Sequence, residues 1–151
     1  MSFQYENGTI QTLLDSGLNS LADGNGALSS AYDNDDSGGS NLYLWGIFEL
    51  FINSFGSAPT EGELVDMYFI DSLNGTDFAD GSGGSSPVAN PASLIASFPV
   101  RAVTSDQRIV LPSPITLPSC DFKVLLINNT GQAFPSSGNT LKMLPVRFTS
   151  S

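Results

Sequence analysis

Hydrophobic positions along this chain recur mainly with a period of two. The run NLYLWGIFELFI, residues 42–52 with the preceding Asn, shows the pattern best. One phase contains Trp45 and Phe51, and the other contains Phe48 and Leu50. Because the side chains of a strand alternate between its two faces, this run predicts a β-strand that is apolar on both faces. Such a strand lies inside a sheet, with one face in the core and the other covered by the chain or by a partner.

Seven more strands are predicted by similar runs, separated by segments rich in Gly, Pro, Asn, Asp and Ser. They cover residues 8–14, 26–32, 63–71, 94–104, 107–111, 122–128 and 140–148. About eight short strands in 151 residues predict one all-β domain over residues 1–151. We expect an antiparallel β-sandwich of the jelly-roll type.

Five further features accompany these strands. Leucines at helical spacing predict one short helix or irregular turn within residues 11–21, and the hypothesis of an N-terminal arm over residues 1–25 stays open. Residues 77–91, DFADGSGGSSPVANP, predict a long surface loop. Gly131 predicts a turn with positive φ. Because Pro145 cannot donate a ladder hydrogen bond, we expect the last strand to lie at a sheet edge or to end there.

Charge and composition narrow the partners and the compartment. The net charge is −10 and the pI is about 4.1, so the chain repels phosphate backbones and anionic membranes. The longest apolar run, residues 42–52, is shorter than the roughly 20 residues that a membrane span needs. The first residues, MSFQYENG, lack a basic segment followed by an apolar one, so no signal peptide is predicted, and the single cysteine cannot form an internal disulfide. We therefore expect neither a nucleic-acid nor a membrane partner, and synthesis in a cytoplasm.

Catalytic chemistry has few candidate residues. The chain has no histidine, which removes Ser-His-Asp and Cys-His arrangements and histidine metal sites. Cys120 is interpreted as a small packing residue. The carboxylates predicted on strands are Glu49, Glu63, Asp66 and Asp71, and the hypothesis of a glycosidase acting through Glu49 and Asp66 needs the pair in one cleft. We expect a protein that is not an enzyme and that has no cofactor.

A calcium site is a weaker hypothesis. Residues 33–38, DNDDSG, begin like a calcium-binding loop, but Leu44 stands where that loop requires a bidentate Glu. Asp71, Asp77 and Asp80 are loop carboxylates and are similarly weak calcium candidates. These residues are interpreted as solvated acidic turns, and no metal site is predicted.

The C-terminal part carries a family resemblance. Residues 122–147, FKVLLINNTGQAFPSSGNTLKMLPVR, resemble the C-terminal end of small virion structural proteins of tailed bacteriophages, several of which are jelly-roll-like capsid cement or decoration proteins. The resemblance is looser over residues 41–101 and absent from the first forty. It implies a virion protein on the capsid surface that binds the major capsid protein from outside and reinforces the junctions between its subunits. It also implies a homo-oligomer, a trimer or a dimer.

Contact residues are predicted where apolar side chains exceed what one core needs. These interface candidates are Tyr43, Trp45, Phe51, Leu144, Val146 and Phe148. The alternative function is a carbohydrate- or receptor-binding β-sandwich of a phage tail or fibre. That alternative predicts a concave face with exposed aromatic side chains.

Overall fold

The computed structural model describes residues 2–34 and 42–150. It confirms an all-β, antiparallel β-sandwich. The strands in chain order are β1 (Phe3–Asn7), β2 (Gln11–Leu14), β3 (Gly26–Leu28), β4 (Trp45–Ile52), β5 (Leu64–Ser72), β6 (Gly81–Ser82), β7 (Val88–Ala89), β8 (Leu94–Pro99), β9 (Gln107–Val110), β10 (Ile115–Thr116), β11 (Asp121–Asn129) and β12 (Thr140–Ser150). Two single 3-10 turns, Ser16–Leu18 and Pro91–Ser93, are the only helical segments in the described ranges.

Two sheets pack face to face. In the front sheet β12 and β4 pair with each other at the centre. The free edge of β12 pairs with β1 and then with β2, and the free edge of β4 pairs with β9 and β10. In the back sheet the order is β3-β11-β5-β8. The short strands β6 and β7 form a separate hairpin.

The strand order is that of a jelly roll. β1 and β2 share one position in the front sheet, and β9 and β10 share another. When each of these pairs counts as one strand and the β6–β7 hairpin is left out, the chain has eight strand positions, numbered 1 to 8 from the N-terminus. In these numbers the order of strands is 1-8-3-6 in the front sheet and 2-7-4-5 in the back sheet. Successive positions alternate between the sheets except at the fourth and fifth, which pair within the back sheet as β5 and β8. This interleaving brings distant parts of the chain together in every sheet.

The core lies between the two sheets and follows the predicted alternation. In β4, Phe48, Leu50 and Ile52 are buried, whereas the residues between them point outward and are half-buried. Phe122 and Val124 of β11 face them from the back sheet and are fully buried. Each such side chain stabilises the fold by roughly 1.5–3 kcal/mol relative to full exposure.

A buried polar network fixes the connection from β11 to β12. The amide of Asn128 donates to the carbonyl oxygens of Leu21 at 2.9 Å and Gln132 at 2.8 Å. Its Oδ1 accepts from the backbone N–H of Thr130 at 3.1 Å and from the Thr130 hydroxyl at 2.7 Å. Gly131 has φ of +75°, as the turn prediction requires. The chain therefore leaves the back sheet in one defined direction and enters the front sheet as β12.

Several predicted boundaries are wrong. The predicted strand at 8–14 begins later, at Gln11, and the short strands β1, β6, β7 and β10 are not among the predicted ones. The predicted strands at 26–32 and 94–104 are shorter, ending at Leu28 and Pro99. Tyr32 still makes an isolated bridge to Phe122. The short helix or turn predicted within residues 11–21 is a 3-10 turn.

The edge position predicted for the last strand is also wrong. β12 lies at the centre of the front sheet, and Pro145 pairs in register with Gly46 of β4. The carbonyl of Pro145 accepts from the N–H of Gly8 at 2.8 Å. Since the N–H and C=O of a strand residue point to the same neighbour, the missing N–H of Pro145 faces the break between β1 and β2. A proline is tolerated there because the neighbouring strand is already interrupted.

Candidate functional site

The outward side of the front sheet is apolar over its whole width, and we call this surface the front face. Pairing of β1, β12, β4 and β9 aligns its side chains in neighbouring rows. The front face consists of Phe3, Tyr5, Ile10, Trp45, Ile47, Phe51, Val110, Leu144, Val146 and Phe148. These side chains form one contiguous apolar patch, whereas the exposed apolar side chains of an ordinary protein surface are scattered singly.

Three aromatic rings form one end of the front face. Phe148 lies between Tyr5 and Trp45, with ring centroids 4.7 Å and 4.9 Å apart. The contact with Trp45 is edge-to-face, at an interplanar angle of 84°. Tyr5 remains 74% exposed and Phe148 43% exposed despite these contacts. Tyr5 and Trp45 line a groove of about 510 Å³.

Aliphatic side chains continue the surface toward the other end. A hollow of about 200 Å³ is lined by Ile10, Val110, Leu144 and the stems of neighbouring charged residues. Ile47 lines both this hollow and the aromatic groove. The front face is therefore one surface that runs across four paired strands.

Few charges interrupt the front face. Glu49 forms a salt bridge with Arg108, and the Arg108 guanidinium lies 4.6 Å over the ring of Phe51. Lys142 pairs in register with Glu49 from the other side. Of the 15 acidic residues in the chain, Glu49 and Glu6 are the two in front-sheet strands. Glu6 points to the opposite side of its sheet from Tyr5, so this surface carries one acid in a strongly acidic protein.

The structure places five of the six predicted interface residues on the front face. Trp45, Phe51, Leu144, Val146 and Phe148 all have outward positions there, although Val146 is itself buried. The sixth, Tyr43, does not belong to this surface. Its ring packs against the core from the inner side, and the Arg147 guanidinium lies 5.5 Å over it.

Sequence reasoning missed half of the front face. The missed residues are Phe3, Tyr5, Ile10, Ile47 and Val110. A signal exists for Ile47, which shares its phase with Trp45 and Phe51, and for Phe3 and Tyr5, which alternate with polar residues in FQYEN. The short run around Val110 carries no signal that separates an outward position from an inward one.

The proposed glycosidase pair is not brought together. Glu49 points outward from the front sheet, and Asp66 points outward from the back sheet, so the sandwich separates them. Asp66 accepts hydrogen bonds from the Ser97 hydroxyl at 2.5 Å and the Asn129 amide at 2.9 Å. Burial, and secondarily the charge of Asp66, raises the pKa of Tyr68.

The remaining carboxylates are dispersed. Burial raises the pKa of Asp71, whose Oδ1 is buried with no hydrogen-bond partner. Glu63 and Asp80 are exposed, and Cys120 is half-buried. Among residues 2–34 and 42–150, no three His, Cys, Asp or Glu side chains are placed to hold a metal ion. Most of the candidate calcium loop, from Asp35 onward, lies outside the described residues.

The outward side of the back sheet contrasts with the front face because the chain covers it. Residues 81–89 fold back as the β6–β7 hairpin, which contacts β3 and Ile70 of β5 and which we call the cover hairpin. Gly26 and Gly84 exchange two backbone hydrogen bonds, of 2.9 Å and 2.7 Å. Beneath the hairpin, Ile70 and Leu125 are 1% and 0% exposed, although neither belongs to the core between the sheets.

Glycines allow this close approach. A Cβ added to Gly83 would lie 2.7 Å from the carbonyl oxygen of Gly26. One added to Gly81 would collide with the Cδ1 of Ile70. The GSGG run in the predicted surface loop is thus the contact between the cover hairpin and the back sheet.

No protein-family model and no curated protein matches this chain. Within the described ranges, no helix is long and apolar enough to cross a bilayer.

Proposed function

We propose that this protein is a non-enzymatic structural component of a virion, a capsid cement or decoration protein of a tailed bacteriophage. In this role it binds the outside of the capsid shell and stabilises contacts between major capsid subunits. The protein acts by burying surface, and its place of action is the virion.

The front face is the observation that carries the proposal. It is broad, apolar and poor in acids, whereas the rest of the chain is acidic. Contiguous exposed apolar surface of this kind is typical of protein–protein contacts. The jelly-roll order and the resemblance of residues 122–147 to virion structural proteins support the same function. An acidic protein outside a shell also avoids competition for the packaged DNA.

Shell binding is tested by adding the purified protein to capsids that lack it. We expect co-sedimentation with the capsids at a fixed ratio to the major capsid protein, and a rise in the temperature at which the capsids break open. Capsids of an unrelated phage serve as the control. Absence of co-sedimentation at saturating protein concentrations would remove the proposal.

A second candidate, a carbohydrate- or receptor-binding module, is favoured by one observation. Tyr5, Trp45 and Phe148 present aromatic rings beside a groove, as sugar-binding surfaces do. Besides the Tyr5 hydroxyl and the Trp45 indole N–H, however, the described residues that line this groove offer only the Asn7 amide, and sugar recognition relies on several convergent hydrogen-bonding groups. Binding on a glycan array that Tyr5→Ala abolishes would establish this function instead.

A further inference from the structure

We infer that Asn74 is a site of spontaneous covalent modification, at which the folded chain converts its own asparagine into aspartate or isoaspartate. The reaction needs water and no enzyme, and it does not depend on the proposed function. Each event adds one negative charge to the molecule, which takes the net charge of −10 to −11.

Three asparagine–glycine pairs occur in the chain, Asn7-Gly8, Asn25-Gly26 and Asn74-Gly75. In such a pair the backbone nitrogen of the glycine can attack the side-chain carbonyl carbon of the asparagine, because glycine has no side chain to hinder the approach. The product is a five-membered imide ring, and its closure within one molecule gives the two groups a high effective concentration. Since all three pairs carry the same reactive groups, the structure around each pair decides which of them reacts.

Backbone pairing holds the glycine nitrogen in the first two pairs. The N–H of Gly8 donates to the carbonyl of Pro145 at 2.8 Å, and the N–H of Gly26 donates to the cover hairpin at 2.9 Å. The N–H of Gly75 makes no hydrogen bond to any residue that the structure describes. Asn74 and Gly75 are both exposed to water and hydroxide, whereas Gly26 is buried. Folding therefore leaves the third pair open to reaction and closes the other two.

The turn around Asn74 prepares its side-chain carbonyl for attack. Its Oδ1 accepts from the backbone N–H groups of Thr76 at 2.9 Å and Asp77 at 2.8 Å, and from the hydroxyl of Ser72 at 3.2 Å. These donors point at the oxygen on which negative charge develops when the carbon is attacked, as in an oxyanion hole. They also hold the neutral amide, but hydrogen bonds to a charged acceptor are roughly twice as strong as neutral ones, so the donors favour the intermediate.

Two further features of the turn fix the geometry of the reacting groups. The Nδ2 of Asn74 donates to the Oδ2 of Asp77 at 2.8 Å. This contact determines which end of the amide faces the three donors, so Asp77 is a positioning residue. Gly75 has φ of +74°, which glycine adopts without strain. The turn thus requires, at the attacking position, the residue whose nitrogen is least hindered.

The reaction consumes one water and releases one ammonia. The nitrogen of Gly75 bonds to the Cγ of Asn74 and gives up its proton to hydroxide. The Cγ–Nδ2 bond then breaks, and the nitrogen takes up a proton from water and leaves as ammonia, which regenerates the hydroxide. Water opens the imide ring at either of its two carbonyl carbons, and the two openings give aspartate and isoaspartate.

The product changes the loop that leads to the cover hairpin. A carboxylate oxygen replaces Nδ2 beside Asp77, so a hydrogen bond becomes a contact between like charges. Isoaspartate also inserts an extra backbone carbon into the turn. The loop follows β5 of the back sheet, so it stays accessible when the front face is covered. The modification therefore accumulates with the age of the molecule, whether it is bound to a partner or free.

The test follows all three asparagines by peptide mass spectrometry after the purified chain is incubated in water labelled with heavy oxygen. The label marks rings that opened during the incubation. We expect Asn74 to react in the folded protein at least as fast as in denaturant. Asn7 and Asn25 should slow at least about tenfold on folding, because their glycine nitrogens react only when the pairing opens locally. A slower reaction of Asn74 on folding, or the same change at all three sites, overturns the inference.

Two substitutions separate the reaction from the stability of the loop. Asn74→Gln keeps an amide but cannot form the five-membered ring, so the additional acidic species that isoelectric focusing detects in aged wild-type protein should be absent. Ser72→Ala removes one donor to Oδ1 and should slow the reaction at Asn74 at least about threefold in the folded protein, with no change in denaturant. Thermal unfolding checks that both variants are folded.

The outcomes of these substitutions are distinct. An acidic species that persists in Asn74→Gln places the modification at another residue and overturns the inference. An unchanged or faster reaction in folded Ser72→Ala shows that the hydroxyl restrains the amide, which contradicts its activation by the turn.

Discussion

The two outward faces of this sandwich start from the same pattern and end differently. Central strands of both sheets are apolar on both sides, and Leu125 of β11 and Leu144 of β12 both point away from the core. Leu125 is fully buried under the cover hairpin, whereas Leu144 is only half-buried on the front face. The pattern within a strand shows that an outward side chain is apolar. It does not show whether another segment of the chain packs over that side chain.

The largest difference in the free energy of unfolding is expected between alanine substitutions of these two leucines. Leu125→Ala leaves a cavity under the cover hairpin and should destabilise the monomer by about 2–5 kcal/mol. Leu144→Ala removes a partly solvated side chain and should cost less than about 1 kcal/mol. Urea unfolding at concentrations that favour the monomer measures both. Equal losses would mean that the two faces are buried to the same extent in one molecule.

A smaller effect is expected from loosening the cover itself. Gly83→Ala forces the hairpin away from the Gly26 carbonyl and should destabilise the fold by about 1–3 kcal/mol. Ile70 and Leu125 would then become accessible, so binding of a hydrophobic dye should rise. Ser85→Ala, at an exposed position of the same hairpin, is the control and should change neither quantity. An unchanged melting temperature for Gly83→Ala would show that the hairpin does not depend on this contact.

The smallest effect on stability is expected at Asp71 in β5, the strand that precedes the cover hairpin. The carbonyl of Asp71 accepts from the N–H of Ala79 at 2.8 Å, while burial raises the pKa of its carboxyl. A raised pKa means that the folded state binds the proton more tightly than the unfolded state does. The ionised form therefore destabilises the fold above the folded pKa, and this loss is relieved as the pH falls through that pKa.

Asp71→Asn removes the charge and tests this sign. We expect a slightly higher melting temperature than wild type at neutral pH and convergence of the two proteins at acidic pH. Melting curves across this range measure the difference. A difference that grows as the pH falls would contradict the raised pKa.

Local pattern predicted the central strands well and their neighbours poorly. In β4 and β11 the phase that contains Phe48 or Phe122 lies in the core, and the opposite phase of each strand contains a charged residue, Glu49 or Lys123. The predicted edge position of β12 is wrong because a proline is excluded from a central strand only where the neighbouring strand has a carbonyl that would accept a hydrogen bond from the missing N–H. The break between β1 and β2 removes that carbonyl, and no local rule pairs residue 3 with residue 150.

Half of the front face could be predicted from the sequence, because only some of its residues lie in strands with a clear alternation. Trp45, Phe51, Leu144 and Phe148 share strands whose outward phase can be read from the chain. Tyr5 and Val110 join them only through pairing with distant strands. The cover hairpin was hidden for the opposite reason: GSGG has the composition of a flexible loop, and only the backbone distances reveal that Gly83 permits a contact.

The central place of β12 has a consequence for how this protein is made. β1, β2 and β4 leave the ribosome long before residues 140–150, yet all three pair with β12. During synthesis they therefore present unpaired edges and an apolar surface until their shared partner arrives. Folding dominated by such distant pairings has a high contact order and is slow. Nascent chains of this protein should thus be substrates for a chaperone, more so when translation pauses after the turn at Gly131.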